Sequence, residues 1–220
     1  SIKDSDIAEA IRIYNETRDL MVKLYQLRKQ VPPFLSGTVV AEVVRASQIM
    51  SKIEFNQKLS KFLEEVGKQK NRSSEFKGPR IMVVGSILPN NKLIDIIEQA
   101  GAVVVCDDLC TGSRYFEEKV EEGPDLLKAI AQRYLGKAPC ARMKATELRL
   151  ERAKKMAAEF KVEGIIYQSV KFCDNHLYDY PLYRSYFHKM GLPLLQLEDD
   201  FKGGNIGQLR TRVEAFIEML

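Results

Sequence analysis

Apolar and polar positions follow two different rhythms along this chain, and the change comes near residue 79. Before it, Ile7, Ile11, Tyr14, Met21 and Leu24 recur at steps of three and four residues or their sums, the stripe of an amphipathic helix. Asp6 with Glu9 reads as a capping box, and Pro32-Pro33 stops the helix. A second helix is expected from about Thr38. A third is expected from Ser51, with Glu54 in capping-box position and Phe55, Leu59, Phe62, Leu63 and Val66 on its apolar face. Gly67 to Pro79 is polar and reads as a linker. Residues 1–78 therefore form a helical segment with its linker.

After residue 79 the apolar positions come as short runs: Ile81 to Val84, Val103 to Cys106, Ile165 to Tyr167 and Leu194 to Leu197. Runs of this length between helical stretches read as buried strands. Asn90 or Asn91 caps a helix carrying Leu93, Ile94 and Ile97, and Gly101 ends it. Helical pieces continue to about Phe160, broken near Gly123-Pro124 and around Gly136 to Pro139. Tyr180 to Met190 reads as a helix with Pro181 in its first turn. Gly203-Gly204 precedes a last helix with Leu209, Val213, Phe216, Ile217 and Leu220. The alternation predicts an α/β domain over residues 79–220, a four-stranded parallel flavodoxin-like sheet with helices on both faces. Right-handed crossovers give the strand order 2-1-3-4.

Composition narrows the function classes. Apolar residues are 45% and charged residues 29% of the 220, ordinary for a soluble protein. No apolar run is long enough to span a bilayer, so no membrane partner is expected. The polar opening, Ser-Ile-Lys-Asp-Ser-Asp, does not resemble a signal peptide. The net charge of +4 is spread thinly, and its densest run, Lys68 to Arg72, has no interleaved aromatics. A nucleic-acid partner is therefore not expected. The cysteines at 106, 110, 140 and 173 form no CxxC pair, which excludes zinc-ribbon and thioredoxin patterns. Nor does the chain look like a small disulfide scaffold, so a reducing, cytoplasmic setting is expected. Two histidines are too few for a histidine-rich metal site.

In an open parallel sheet, ligands sit beyond the carboxyl ends of the strands, where the winding direction reverses. Those ends deliver Gly85 and Ser86 from strand 1, and Asp107, Asp108, Cys110 and Arg114 from strand 2. Strand 3 gives Gln168, Lys171 and Cys173, and strand 4 gives Glu198, Asp199 and Asp200. Cys173 is the best placed thiol; taken alone, such a residue is more often a structural, half-buried loop cysteine. Gly85-Ser-Ile-Leu-Pro lacks the further glycines of a dinucleotide fingerprint, and no Walker A sequence occurs. The Gly85-Ser86 turn can hold an anion at a helix N-terminus, or be a tight turn only. Without a GxSxG elbow, a hydrolase triad is not supported, and His176 and His188 read as loop and helix-face residues. An Asp–Arg pair involving Arg114 is expected to hold the loop after strand 2 in shape. Cys106 belongs to the core. Cys140 can be packing or part of the outer tier of a site.

The order of several short motifs carries a resemblance. They are Tyr14-Asn-Glu-Thr-Arg18, Leu24-Tyr-Gln-Leu-Arg28, Ser36-Gly37, Gly85-Ser86 and Asp107-Asp-Leu-Cys-Thr-Gly-Ser-Arg-Tyr-Phe116. Arg133-Tyr134, Pro139-Cys140, Lys171-Phe-Cys-Asp174 and Gly207-Gln-Leu-Arg-Thr-Arg-Val-Glu-Ala-Phe216 follow. Together they resemble the C-terminal half of subunits of the 2-hydroxyacyl-CoA dehydratase and benzoyl-CoA reductase family. The Arg133-Tyr134 and Pro139-Cys140 region looks closer to the reductase side.

The resemblance implies two α/β domains per subunit with a [4Fe–4S] cluster between them, held by three cysteines with one iron open. It makes Cys173 the metal ligand of the C-terminal domain. The other ligands would come from an N-terminal domain outside this sequence, or from Cys110 or Cys140 in its place. The cluster is then complete only with that domain, and this chain alone is expected to be inactive. An ATP-dependent activator would supply a low-potential electron. The thioester would be reduced to a ketyl radical, for dehydration of a 2-hydroxyacyl-CoA or reduction of an aromatic acyl-CoA such as benzoyl-CoA. Implied partners are a homologous second subunit, forming a heterodimer, and the CoA thioester. Gly85, Ser86, Arg114 and Lys171 are candidate contacts for substrate or CoA phosphates. Two other readings stand beside this one: a small-ligand-binding flavodoxin-like module, and a non-catalytic partner subunit without a cluster whose first helices form a dimer face.

Overall fold

The computed structural model describes residues 1–68, 76–88, 90–200 and 206–220. Most of the basic run and of the polar linker, and the Gly203-Gly204 pair, lie outside the described residues. The elements in chain order are α1 (Asp4–Gln26), α2 (Gly37–Ile49), α3 (Lys52–Lys68), β1 (Arg80–Gly85), α4 (Lys92–Gln99), β2 (Val103–Asp108) and α5 (Ser113–Phe116). They continue with α6 (Leu126–Gly136), α7 (Thr146–Glu159), β3 (Gly164–Val170), α8 (Asp174–Lys189), β4 (Leu194–Asp199) and α9 (Ile206–Glu218).

The four strands form one parallel sheet in the expected order, β2-β1-β3-β4. All of β1 and β2 is buried, because both lie under helices on both faces. Met82, Val84, Val105, Ile165 and Tyr167 point to one face. There they meet Met21 and Leu24 of α1, Val40 and Val44 of α2, Phe55 of α3, Met156 of α7 and Tyr183 of α8. Ile81, Val83, Val104 and Ile166 point to the other, against α4 and α9. Each fully buried aliphatic side chain stabilises the fold by roughly 1.5–3 kcal/mol. The first three helices therefore share a core with their own sheet.

Several boundaries differ from the sequence expectation, each for a local reason. The cap of α1 lies at Lys3, whose backbone N–H donates to Asp6 Oδ2 at 2.9 Å, so Asp6 is the third helical residue and not the cap. At α4 the expectation of Asn90 or Asn91 holds: Asn91 is the flanking residue, and the side-chain acceptor is Asn90, whose Oδ1 takes the Lys92 N–H at 2.9 Å. Strand β3 runs on past Tyr167, because Ser169 and Val170 stay paired with Glu198 and Asp199. Helix α8 starts at Asp174 and not near Pro181, since the Cys173 carbonyl already accepts from His176 and Leu177 N–H at 3.1 and 3.0 Å. Pro181 thus sits inside the helix, with its exposed ring on the outer side.

The register sets the site. Gly85 lies level with Gln168, and Val84 with Asp108, so β1 and β2 end together. β3 continues beyond them to Val170 and lifts residues 171–173 above that edge.

Candidate functional site

At the carboxyl edge, Gly85 takes φ +123°, and a Cβ there would meet the Gln168 carbonyl oxygen at 1.9 Å. Only glycine lets β1 turn away so close to β3. Ser86 follows, buried and fully engaged. Its N–H donates to Gln168 O at 2.9 Å, its hydroxyl donates to Gln168 Oε1 at 2.9 Å, and its Oγ accepts from Val170 N–H at 3.1 Å.

The end of β2 is a buried ionic network. Arg114 grips Asp108 side-on through Nε and Nη2, the latter at 2.8 Å, and Arg152 of α7 reaches Asp108 from the other side. Arg152 also donates to Glu117 at 2.8 Å and to Ser113 Oγ at 2.9 Å. Burial alone would raise the Asp108 carboxyl, but the Arg152 and Arg114 cations overcome it and hold Asp108 below the usual carboxylate range. Asp107 accepts from Ser113 N–H at 2.8 Å and from the Tyr25 hydroxyl of α1. A Cβ on Gly112 would strike Asp107 Oδ1 at 1.7 Å, which accounts for the glycine between Cys110 and Arg114. The expected Asp–Arg pair is present, with Asp108 as the acid.

The end of β3 is built differently. Lys171 N–H donates to Asp199 O at 2.9 Å, Phe172 takes φ +66° with its ring 83% exposed, and Cys173 stands as the N-terminal flanking residue of α8. Left-handed backbone is costly for a bulky residue, by about 1–3 kcal/mol. Here it turns the chain from β3 into α8 and leaves Cys173 half-buried. His176, one turn on, is buried and not the loop residue the sequence suggests. Its Nδ1 lies 3.2 Å from the Tyr167 hydroxyl, whose proton also reaches the His176 carbonyl at 3.0 Å. Burial, then the Arg114 cation, pushes His176 down to about 4, so the ring is neutral at pH 7.

Ser86, Cys110, Cys140, Lys171, Cys173 and His176 line a single cleft of ≈ 380 Å³. Lys171 and Cys173 therefore come together with two more cysteines. Gly85 does not line the cleft; it is paired with Gln168 of β3. Arg114 does not line this cleft: it lies behind Cys110 and faces a larger cavity of ≈ 690 Å³ between α1 and α7. Cys106 is fully buried in β2, and burial raises its thiol. Among the described residues, no group of three or more His, Cys, Asp or Glu side chains is gathered closely enough to hold a metal ion. Likewise, no described helix is long and apolar enough to cross a membrane.

Sequence reasoning missed Arg149. This buried arginine clamps Asp179 of α8 at 2.8 and 3.0 Å and donates through Nη1 to the carbonyls of Cys140 and Met143 at 3.1 and 3.2 Å. It holds the cysteine-bearing loop onto the body of the domain. Arg133, of the Arg133-Tyr134 motif, donates to the carbonyls of Tyr115, Glu117 and Glu118 and so braces the segment after α5.

Comparison with known proteins bears on the whole chain. The family described as 2-hydroxyglutaryl-CoA dehydratase, D-component, matches residues 1–220. The chain is 28% identical to the (R)-phenyllactyl-CoA dehydratase beta subunit of Clostridium sporogenes over 219 residues, covering 100% of this chain and 58% of that protein. It is 25% identical to the (R)-2-hydroxyglutaryl-CoA dehydratase subunit beta of Acidaminococcus fermentans over 224 residues, covering 100% of this chain and 59% of that protein. To a benzoyl-CoA reductase subunit of Thauera aromatica it is 23% identical over 224 residues, covering 100% of this chain and 58% of that protein. Overall identity is thus higher to the phenyllactyl-CoA dehydratase subunit than to the reductase subunit. The chain spans somewhat under 60% of the length of these relatives. It belongs to the 2-hydroxyglutaryl-CoA dehydratase D-component family.

Proposed function

We propose that this chain is part of a subunit of an iron–sulfur acyl-CoA enzyme and that Cys173 is its ligand to a [4Fe–4S] cluster. The observation that carries the reading is the placement of Cys173. It stands beyond the carboxyl end of β3, half-buried, at the start of α8 and in a cleft shared with Lys171. The donor set fits one corner of a cluster and not a whole one, because no group of three ligating side chains is gathered among the described residues. The remaining thiolates would come from a further part of the subunit, in keeping with the length of the relatives. When bound, the cluster supplies one-electron transfer at a potential tuned by its surroundings.

The chain's own residues do the positioning. The Phe172 turn presents the thiol, the first turn of α8 fixes its backbone, and the Tyr167–His176 contact closes the floor beneath it with a neutral ring. Lys171 at the rim offers a cation to an anionic group, such as a phosphate of a CoA thioester. Dehydration of a 2-hydroxyacyl-CoA is the favoured reaction class, since the more similar of the relatives compared are dehydratase subunits. A homologous second subunit and an ATP-dependent activator complete the proposed assembly, in a cytoplasmic setting.

The test is anaerobic reconstitution of the full-length subunit, with iron and acid-labile sulfide measured. Cys173→Ala is expected to lose most of the bound iron. Unchanged iron in that variant overturns the ligand assignment. No iron in any form of the protein favours the small-ligand-binding module.

A further inference from the structure

We infer that Cys110 and Cys140 form a reversible disulfide, a redox modification site in the cleft that also holds Cys173. The inference does not rest on the iron reading, which places the ligand role on Cys173. Both line the same cleft although they come from different loops, between β2 and α5 and between α6 and α7.

Both loops are anchored close to the cysteines. Arg149, itself clamped to Asp179, holds the Cys140 carbonyl at 3.1 Å. Gln48 of α2 donates to the Thr111 carbonyl at 2.7 Å, and Gly112 N–H closes a turn onto Leu109 O at 3.1 Å around Cys110. Backbone that is already ordered loses little further freedom when the two sulfurs join.

Exposure and charge assign the order of events. Cys140 is exposed and Cys110 is half-buried, so an oxidant reaches Cys140 first. Behind Cys110 lies Arg114, whose Nη1 is buried with no acceptor while its other two nitrogens hold Asp108. Burial raises the Cys110 thiol, and the Arg114 cation with its free N–H donor offsets part of that for the thiolate.

The oxidant is a low-molecular-weight disulfide such as glutathione disulfide. The Cys140 thiolate attacks one of its sulfurs, and that S–S bond breaks. A mixed disulfide forms, and one glutathione leaves as a thiolate that takes up a proton. The Cys110 thiolate then attacks the Cys140 sulfur, the mixed bond breaks, and the second glutathione departs and is protonated. In sum, two thiols lose two protons and two electrons, and one glutathione disulfide becomes two glutathione molecules. The bridge ties together two loops that line the Cys173 cleft.

The test is peptide mass mapping under non-reducing conditions, after equilibrating the full-length wild-type protein in glutathione buffers of rising oxidised fraction. The expected product is a linked pair of peptides carrying residues 110 and 140, two hydrogens lighter than their sum. Dithiothreitol should reverse it, and Cys110→Ser and Cys140→Ser should each lack it. Glutathione adducts on Cys140 with Cys110 left free overturn the inference, as does a bridge made through Cys173.

Discussion

The ends of β2 and β3 flank β1 at the same edge of the sheet and are built to opposite rules. After β2, each of the two acids is held from more than one side. Asp108 is gripped by Arg114 and Arg152, and Asp107 by Ser113 and Tyr25. After β3, a strained Phe172 with an exposed ring leads to the free, half-buried thiol of Cys173. One end is complete within this chain and holds the helices to the sheet. The other carries backbone strain at a residue whose ring is exposed and meets the Lys171 ammonium, 5.4 Å from its centroid. Such strain tends to persist where the surrounding fold is stable enough to carry it.

The sharpest way to break the contrast is to remove one polar side chain from each end. Asp108→Asn leaves Arg114 and Arg152 buried beside a neutral amide. Loss of one partner from a buried pair costs about 3–5 kcal/mol. Cys173→Ala removes a half-buried side chain with no cap hydrogen bond and is expected to cost less than about 1 kcal/mol. Urea melts of both variants check this. Equal losses in the two would show that the β3 end is structural as well.

Protonation separates the ends on a smaller scale. The folded-state value of His176 is depressed to about 4, against about 6.5 for a free histidine. As pH falls from about 6.5 toward 4, the unfolded chain takes up a proton that the native ring refuses, so stability is lost over that window. The expected contribution is on the order of 2 kcal/mol, allowing for partial solvation of the ring. Asp108, also depressed, gives way only below the ordinary carboxylate range. Comparing melts of wild type and His176→Gln between pH 7 and pH 4.5 isolates the histidine. An identical pH slope in the two would show that His176 is already solvated.

The same contrast explains what was legible in the sequence. Apolar runs located every strand, because a parallel strand buried on both faces has no polar alternation to blur it. An Asp–Arg pair with Arg114 was readable because the partners lie on one loop, but only the structure shows that the acid is Asp108, six residues away, and not Asp107. Arg149 with Asp179, Arg152 with Asp108, and Tyr25 with Asp107 are separated by 30, 44 and 82 residues, and nothing local marks them. The start of α8 was misplaced because Pro181 imitates a first-turn proline, while Asp174 to Tyr180 carries a weak apolar stripe. That error also hid His176, whose burial follows only once it lies in a helix over Tyr167. Cys173 was placed correctly at the strand end, but the meeting of three cysteines in one cleft needed the loops.

The smallest effect tests whether the strain at β3 serves function. Phe172→Gly keeps the turn at φ +66° and frees it from the Cβ penalty, while an exposed ring gives up little burial. Against this, glycine enlarges the freedom of the unfolded chain. The balance should be a stabilisation of up to about 1 kcal/mol, since relief of left-handed strain is worth roughly 1–3 kcal/mol before that entropy is counted. If the turn exists to aim Cys173, the more stable variant should nevertheless hold iron less well. That reads out as faster iron release to a chelator from the anaerobically reconstituted full-length subunit, at unchanged or higher melting temperature. Gain of stability with unaltered iron release would mean that the ring and its turn serve some contact other than the thiol. A loss of stability would mean that Phe172 packs more than its exposure suggests, and the two strand ends would then differ less than their geometry implies.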